Sequence, residues 1–115
     1  MNPSKGDGTV KLIERDELHE MLDRDEDFKL VMTLGEFAFN AKHIPGSLNI
    51  TSPFRAAELL DPADEIIVYC SDENCVASIY AYKALDEAGF TNVRRYAGGI
   101  TDWESAGYAL EGKDD

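Results

Sequence analysis

Basic residues are scarce in this chain. Eleven Lys and Arg stand against 23 Asp and Glu in 115 residues, a formal charge of −12, and nowhere do the cations gather into a stripe. Nucleic acid and anionic membrane surfaces are bound through such stripes, so both are poor partners. The acid surplus instead favours solubility. Long apolar runs are missing too: nothing approaches the roughly 20 residues that span a bilayer, and Met1 to Gly8 holds no apolar block of the signal-peptide kind. A soluble cytoplasmic protein is expected, with a flexible leader over 1–8, one domain over 9–112 and a mobile tail over 113–115. Cysteine is almost absent. Two cysteines without a Cys-x-x-Cys and without a nearby histidine make neither a zinc site nor a disulfide framework, so no metal is expected and a reducing compartment fits. Internal repeats and low-complexity tracts are also lacking. A chain of this length buries roughly 60 to 70% of its unfolded surface, enough for an independent core.

What is present alternates. Thr9-Val10-Lys11-Leu12-Ile13 reads as a short strand or extended lead-in, followed by a helix of about nine residues from Asp16 with Leu18, Met21 and Leu22 at helical spacing. His19 falls off that stripe and is assigned to solvent. Phe28 to Leu34 is a nearly continuous apolar run, the pattern of a strand covered on both faces. A short helix over 36–41 should carry Phe37 and Phe39 inward. His43-Ile44-Pro45-Gly46-Ser47 reads as a turn, Leu48-Asn49-Ile50 as a strand, and 53–60 as a helix capped by Ser52. Glu65 to Tyr69 is the next strand. A helix from about Cys75 to Ala88 follows, closed by Gly89, with Val76, Ile79, Ala84, Leu85 and Ala88 on its inner face. Asn92 to Tyr96 is the last strand and 100–105 the last helix, bearing Trp103. Strands alternating with helices at these intervals predict an α/β sandwich around a largely parallel sheet.

Cys70 is the residue that invites chemistry. It stands where the strand 65–69 gives way to the polar loop Ser71-Asp72-Glu73-Asn74 and then to a helix start, and ligands on parallel sheets sit beyond the carboxyl ends of strands. Unpaired N–H groups at such a junction favour a thiolate, the reactive form of cysteine. The plain alternative is a buried cysteine filling space at a strand end.

Three stretches together resemble the rhodanese-like family. Ala41-Lys42-His43-Ile44-Pro45-Gly46-Ser47-Leu48-Asn49-Ile50 is similar to the family's His-Ile-Pro-Gly-Ala-x-Asn signature. Ile66-Ile67-Val68-Tyr69-Cys70 is similar to its active-site strand, and Tyr96-Ala97-Gly98-Gly99-Ile100-Thr101-Asp102-Trp103 to its Gly-Gly-x-x-x-Trp. The likeness runs from about residue 10 to 112 in the right order. It implies a three-layer sandwich, a largely parallel central sheet with helices on both faces, in a single-domain protein. It also implies a sulfurtransferase: Cys70 takes a sulfane sulfur from a small donor such as thiosulfate, becomes a persulfide, and passes the sulfur to cyanide or to a small or protein thiol. In that reading the backbone N–H groups of Ser71, Asp72, Glu73, Asn74, Cys75 and Val76 hold the charged sulfur, no cofactor is needed, and a monomer is expected.

The departures shape the alternatives. The Asp-x-Arg common in relatives is replaced by Met32-Thr33-Leu34, and the loop offers Asp72 and Glu73 where a basic residue is usual. Carboxylates beside a thiol oppose its ionisation. No arginine follows at the phosphatase position, where Val76 and Ala77 stand, which argues against that activity. Cys75 is read in two ways: as a resolving thiol for Cys70, or, the reading that takes precedence, as a small residue tucking the loop into the helix. His43 is assigned to the turn rather than to proton transfer. Arg94 and Arg95 alternate across the sheet, and either could reach the site. A Cys70/Cys75 redox switch and a non-catalytic interaction module are the competing functions.

Overall fold

Apolar strand-forming runs and amphipathic helices alternate in the computed structural model, which describes residues 10–112. The order is α1 (Arg15–Asp23), β1 (Lys29–Met32), α2 (Glu36–Ala41), β2 (Leu48–Asn49), α3 (Pro53–Leu59), β3 (Ile66–Tyr69), α4 (Ala77–Glu87), β4 (Val93–Tyr96) and α5 (Gly99–Ser105). The leader expected over 1–8 and the tail over 113–115 lie outside the described residues. The four strands form one sheet in the order β2-β1-β3-β4, and every pair is parallel, with Val31 beside Val68 and Val68 beside Arg95. All four residues of β3 are buried, because it is central and covered on both faces.

Strand alternation divides the core in two. Leu30, Met32, Ile67, Tyr69 and Tyr96 pack with Leu18 and Met21 of α1 and Trp103 of α5 on one face. Val31, Ile66, Val68 and Val93 pack with Ala56 of α3 and with Tyr82 and Leu85 of α4 on the other. The result is a three-layer α/β sandwich. The lead-in segment covers the free edge of β4: Leu12 bridges to Arg95 in parallel, and the Arg95 N–H donates to the Lys11 carbonyl at 2.8 Å. This occupies backbone groups that an open edge would leave unpaired. Among the described residues no helix is long and apolar enough to cross a membrane.

The turn at His43 to Ser47 is locked to the sheet. Tyr69 OH receives the Ile44 N–H at 3.0 Å and donates to Ser47 Oγ at 2.9 Å, and Ser47 Oγ donates to the Ile44 carbonyl at 2.7 Å. Burial pushes the Tyr69 phenol up to about 12, so it stays a donor. His43 Nδ1–H donates to the Phe39 carbonyl at 2.7 Å, its ring stacks on Phe39, and its backbone pairs with Glu111. It is a turn residue, as its motif suggested.

Four expectations are corrected. Phe37 is 91% exposed, and Phe39 alone of that pair packs against the core, since one and a half helical turns are too few to set the phase of a stripe. Val76 lies before the first residue of α4 and is exposed. The buried positions of α4 are Ser78, Tyr82 and Leu85, a phase set by Cys70 and Arg95 beneath its first turn. His19 is not free in solvent: it stacks on Tyr108 at 3.9 Å and lies 5.6 Å from Trp103, drawn there by the returning C-terminal segment.

Candidate active site

β3 ends on Tyr69, whose side chain enters the α1/α5 face, so the next side chain, Cys70, turns to α4. Its sulfur is 3.3 Å from Ser78 Oγ in the first turn of α4, and both residues are buried. From β4, alternation sends the two arginines apart. Arg94 goes to the α1 side, donating to Glu65 at 2.6 Å and Glu17 at 3.2 Å. Arg95, buried on the α4 side, donates from Nε to Ser78 Oγ at 2.8 Å and from Nη2 to the carbonyls of Glu73 and Cys75, both at 3.3 Å. The question left open between the two is thereby decided for Arg95.

Arg95 has no carboxylate partner among the described residues; every acceptor it reaches is neutral. A buried guanidinium without a counter-ion favours any anion formed nearby. With one lone pair of Ser78 Oγ filled by Arg95, the hydroxyl proton is free to point at Cys70 Sγ. The chain therefore places a basic group under the loop, though none stands in the loop sequence itself.

The loop differs from expectation in two respects. The Asn74 N–H donates to the Asp72 carboxylate at 3.0 Å and the Cys75 N–H to the Asp72 carbonyl at 3.1 Å. These two amides close a turn of the kind aspartate nucleates and are not turned to Cys70, a correction to the ring of six. The N–H groups of Ser71, Asp72, Glu73 and Val76 have no hydrogen-bond partner among the described residues. Second, Cys75 is joined to Cys70 by a disulfide, with Cα atoms 6.4 Å apart. The loop brings the pair within the span a disulfide requires, which the sequence separation alone left open. Cys70 is sealed at 1% exposure, whereas Cys75 is half-buried.

The stretch similar to the family's Gly-Gly-x-x-x-Trp acts as a clamp on the Cys70 backbone. Gly99 at φ +63° lies against the Cys70 carbonyl, where a Cβ would clash. The Ile100 N–H donates to the Cys70 carbonyl at 3.1 Å and the Thr101 N–H to the Ser71 carbonyl at 2.9 Å. The start of α5 thus fixes the backbone on which the thiol rides. Thr33, at the place of the missing Asp-x-Arg, donates to the Tyr69 carbonyl from both N–H (3.0 Å) and Oγ1 (3.2 Å). On the Cys70 side of the sheet a groove of about 350 Å³ opens between α3 and α4, lined by Val68, Ala77, Tyr80 and Ala81 among others and by no cation.

With this geometry established, the comparison that decides kinship is a match of residues 14–106 to the rhodanese-like domain family. The chain belongs to the rhodanese-like family. No curated protein sequence matches at a significant level, but solved structures do. A rhodanese-like domain from Anabaena superposes on this one with a TM-score of 0.82 at 23% identity, covering 91% of this chain and 81% of that one. A human single-domain sulfurtransferase gives 0.70 at 21% identity, covering 84% and 97%. A thiosulfate sulfurtransferase from Pseudomonas aeruginosa gives 0.80 at 25% identity; the match covers 90% of this chain and 20% of that far longer one. This rhodanese-like domain thus shares its fold with proteins that include sulfurtransferases, and what it does itself rests on its own residues.

Proposed function

We propose that this domain is a sulfurtransferase working through Cys70 in its dithiol state, in the cytoplasm. The observation that carries the reading is the buried Arg95 cation, linked through Ser78 to the Cys70 sulfur and matched by no carboxylate among the described residues. Reduction frees the thiol, and the thiolate supplies the anion that Arg95 lacks. It attacks the outer sulfur of thiosulfate; the S–S bond of the donor breaks and sulfite leaves with the electron pair, so that Cys70–S⁻ becomes Cys70–S–S⁻. The N–H groups of Ser71, Asp72, Glu73 and Val76 are available to the persulfide anion. Attack by an acceptor thiol on the terminal sulfur then returns Cys70 as thiolate. The neighbouring groove, apolar and without a cation, suits the body of an organic thiol better than a small dianion.

The test is intact mass. Reduced Cys75→Ser protein treated with thiosulfate should gain one sulfur, about 32 mass units, and Cys70→Ser should gain none. Retention of the added mass by Cys70→Ser would remove Cys70 from the reaction. A second reading, a thiol switch, is favoured by the disulfide itself. Mild peroxide should then convert reduced protein to a species about two mass units lighter without dimer formation, and an unaltered thiol pair would dismiss it.

A further inference from the structure

We infer that Cys75 discharges the Cys70 persulfide internally, so that the sulfur leaves as sulfide and the domain is left as the Cys70–Cys75 disulfide. This rests on the reading of Cys70 as the persulfide-forming residue and adds the fate of its sulfur. The Cys75 thiolate attacks the inner sulfur, Sγ of Cys70. The bond between that atom and the outer sulfur breaks, and hydrosulfide departs with the electron pair. In sum, the Cys70 persulfide and the Cys75 thiol give the Cys70–Cys75 disulfide and one hydrogen sulfide. The sulfane sulfur is reduced to sulfide and the two cysteines are oxidised, with no outside oxidant. Two equivalents of a small thiol then restore the dithiol and become a disulfide themselves.

Three observations point this way and against a disulfide that merely braces the fold. The first is reach: the loop delivers Cys75 to Cys70 within bonding distance, held by the Cys75 N–H on the Asp72 carbonyl and the Cys75 carbonyl on Arg95. Closing an interval of five residues also constrains the unfolded chain very little, which is the smallest service a structural disulfide can perform.

The second is charge. In the disulfide the buried Arg95 has no anion within reach among the described residues, whereas a Cys70 thiolate or persulfide would supply one. The oxidised state is therefore the less compensated of the two, and the bond should be readily reduced, as a turnover intermediate must be. The third is asymmetry. Cys75 is half-exposed and Cys70 sealed, so an incoming thiol meets the sulfur of Cys75, and the group it expels is the Cys70 thiolate above Ser78 and Arg95. A stabilised thiolate is the better leaving group.

The experiment uses the full reduced chain, freed of small thiols and kept without oxygen, with one equivalent of thiosulfate. Sulfide is measured by colour reaction and the protein by intact mass. Wild type should release close to one sulfide per chain with no added thiol and end about two mass units lighter. Cys75→Ser, with Cys75→Ala as a second variant, should keep the added sulfur, about 32 mass units, and release sulfide only when a thiol is supplied. Wild type that holds the added mass and yields no sulfide would overturn the internal step while leaving the persulfide reading intact. Failure of both Cys75 variants to gain the sulfur would overturn both.

Discussion

Arg95 is costly where it stands. A guanidinium taken out of water is normally matched to a carboxylate, and this protein has 23 acids to choose from, yet the side chain spends its donors on Ser78 and two peptide carbonyls. Such an arrangement is stable enough to persist and favours an anion at the adjoining sulfur. Arg94, one residue away, shows the ordinary alternative, two acidic partners near solvent. Arg95→Met should therefore slow alkylation of reduced Cys70 by iodoacetamide at pH 7 about tenfold, the effect of losing ~1.4 kcal/mol of electrostatic support. The fold should survive by circular dichroism, because a neutral side chain replaces an unmatched buried charge. An unchanged rate with an unchanged fold would uncouple Arg95 from the thiol. Neither the roles of these two arginines nor the burial of Ser78 could be assigned from sequence. Alternation said that the arginines part company, but which face held the thiol depended on where α4 lay.

Among the elements, α5 bears most directly on the site. Its first residues grip the carbonyls of Cys70 and Ser71, and Gly99 permits the approach by having no side chain and by accepting φ +63°. The left-handed conformation alone costs an alanine about 1–2 kcal/mol, and its Cβ would meet the Cys70 carbonyl. Gly99→Ala is expected to lower stability by roughly 2 kcal/mol or more in urea unfolding and to slow Cys70 alkylation in the folded protein. Gly35→Ala is the control: nothing lies within 4 Å of the added atom and no positive φ is required, so a change of about 0.5 kcal/mol or less is expected. Equal effects at the two glycines would refute the clamp. The Gly98-Gly99 pair is visible in the sequence as part of a family-like stretch. Its hold on the thiol loop is not, because the partners lie far upstream in the chain, beyond the whole of α4 and β4.

At the scale of the molecule, the charge of −12 is a property of the surface. The core strands carry almost none of it, and the acids crowd the helices and loops outside. Like charges repel over about 30 Å at 0.01 M salt and over only a few ångströms near 0.5 M. Raising salt across that interval should stabilise the fold by about 1 kcal/mol, a rise in Tm of some 4–8 °C by calorimetry. A flat or falling Tm would show that the surface ion pairs, such as Lys42 with Glu104 and Arg24 with Glu20, contribute more than the repulsion costs.

Element order, the parallel sheet, the buried character of β3 and the position of Cys70 at its carboxyl end were all determined by the sequence alone. Each follows from local pattern: apolar runs of strand length, helical spacing, and turns marked by Pro and Gly. Tertiary structure decided what surrounds the sulfur. The disulfide, the buried arginine, the serine between them and the amides diverted to Asp72 depend on contacts among separate elements, and composition and periodicity carry no record of which faces will meet.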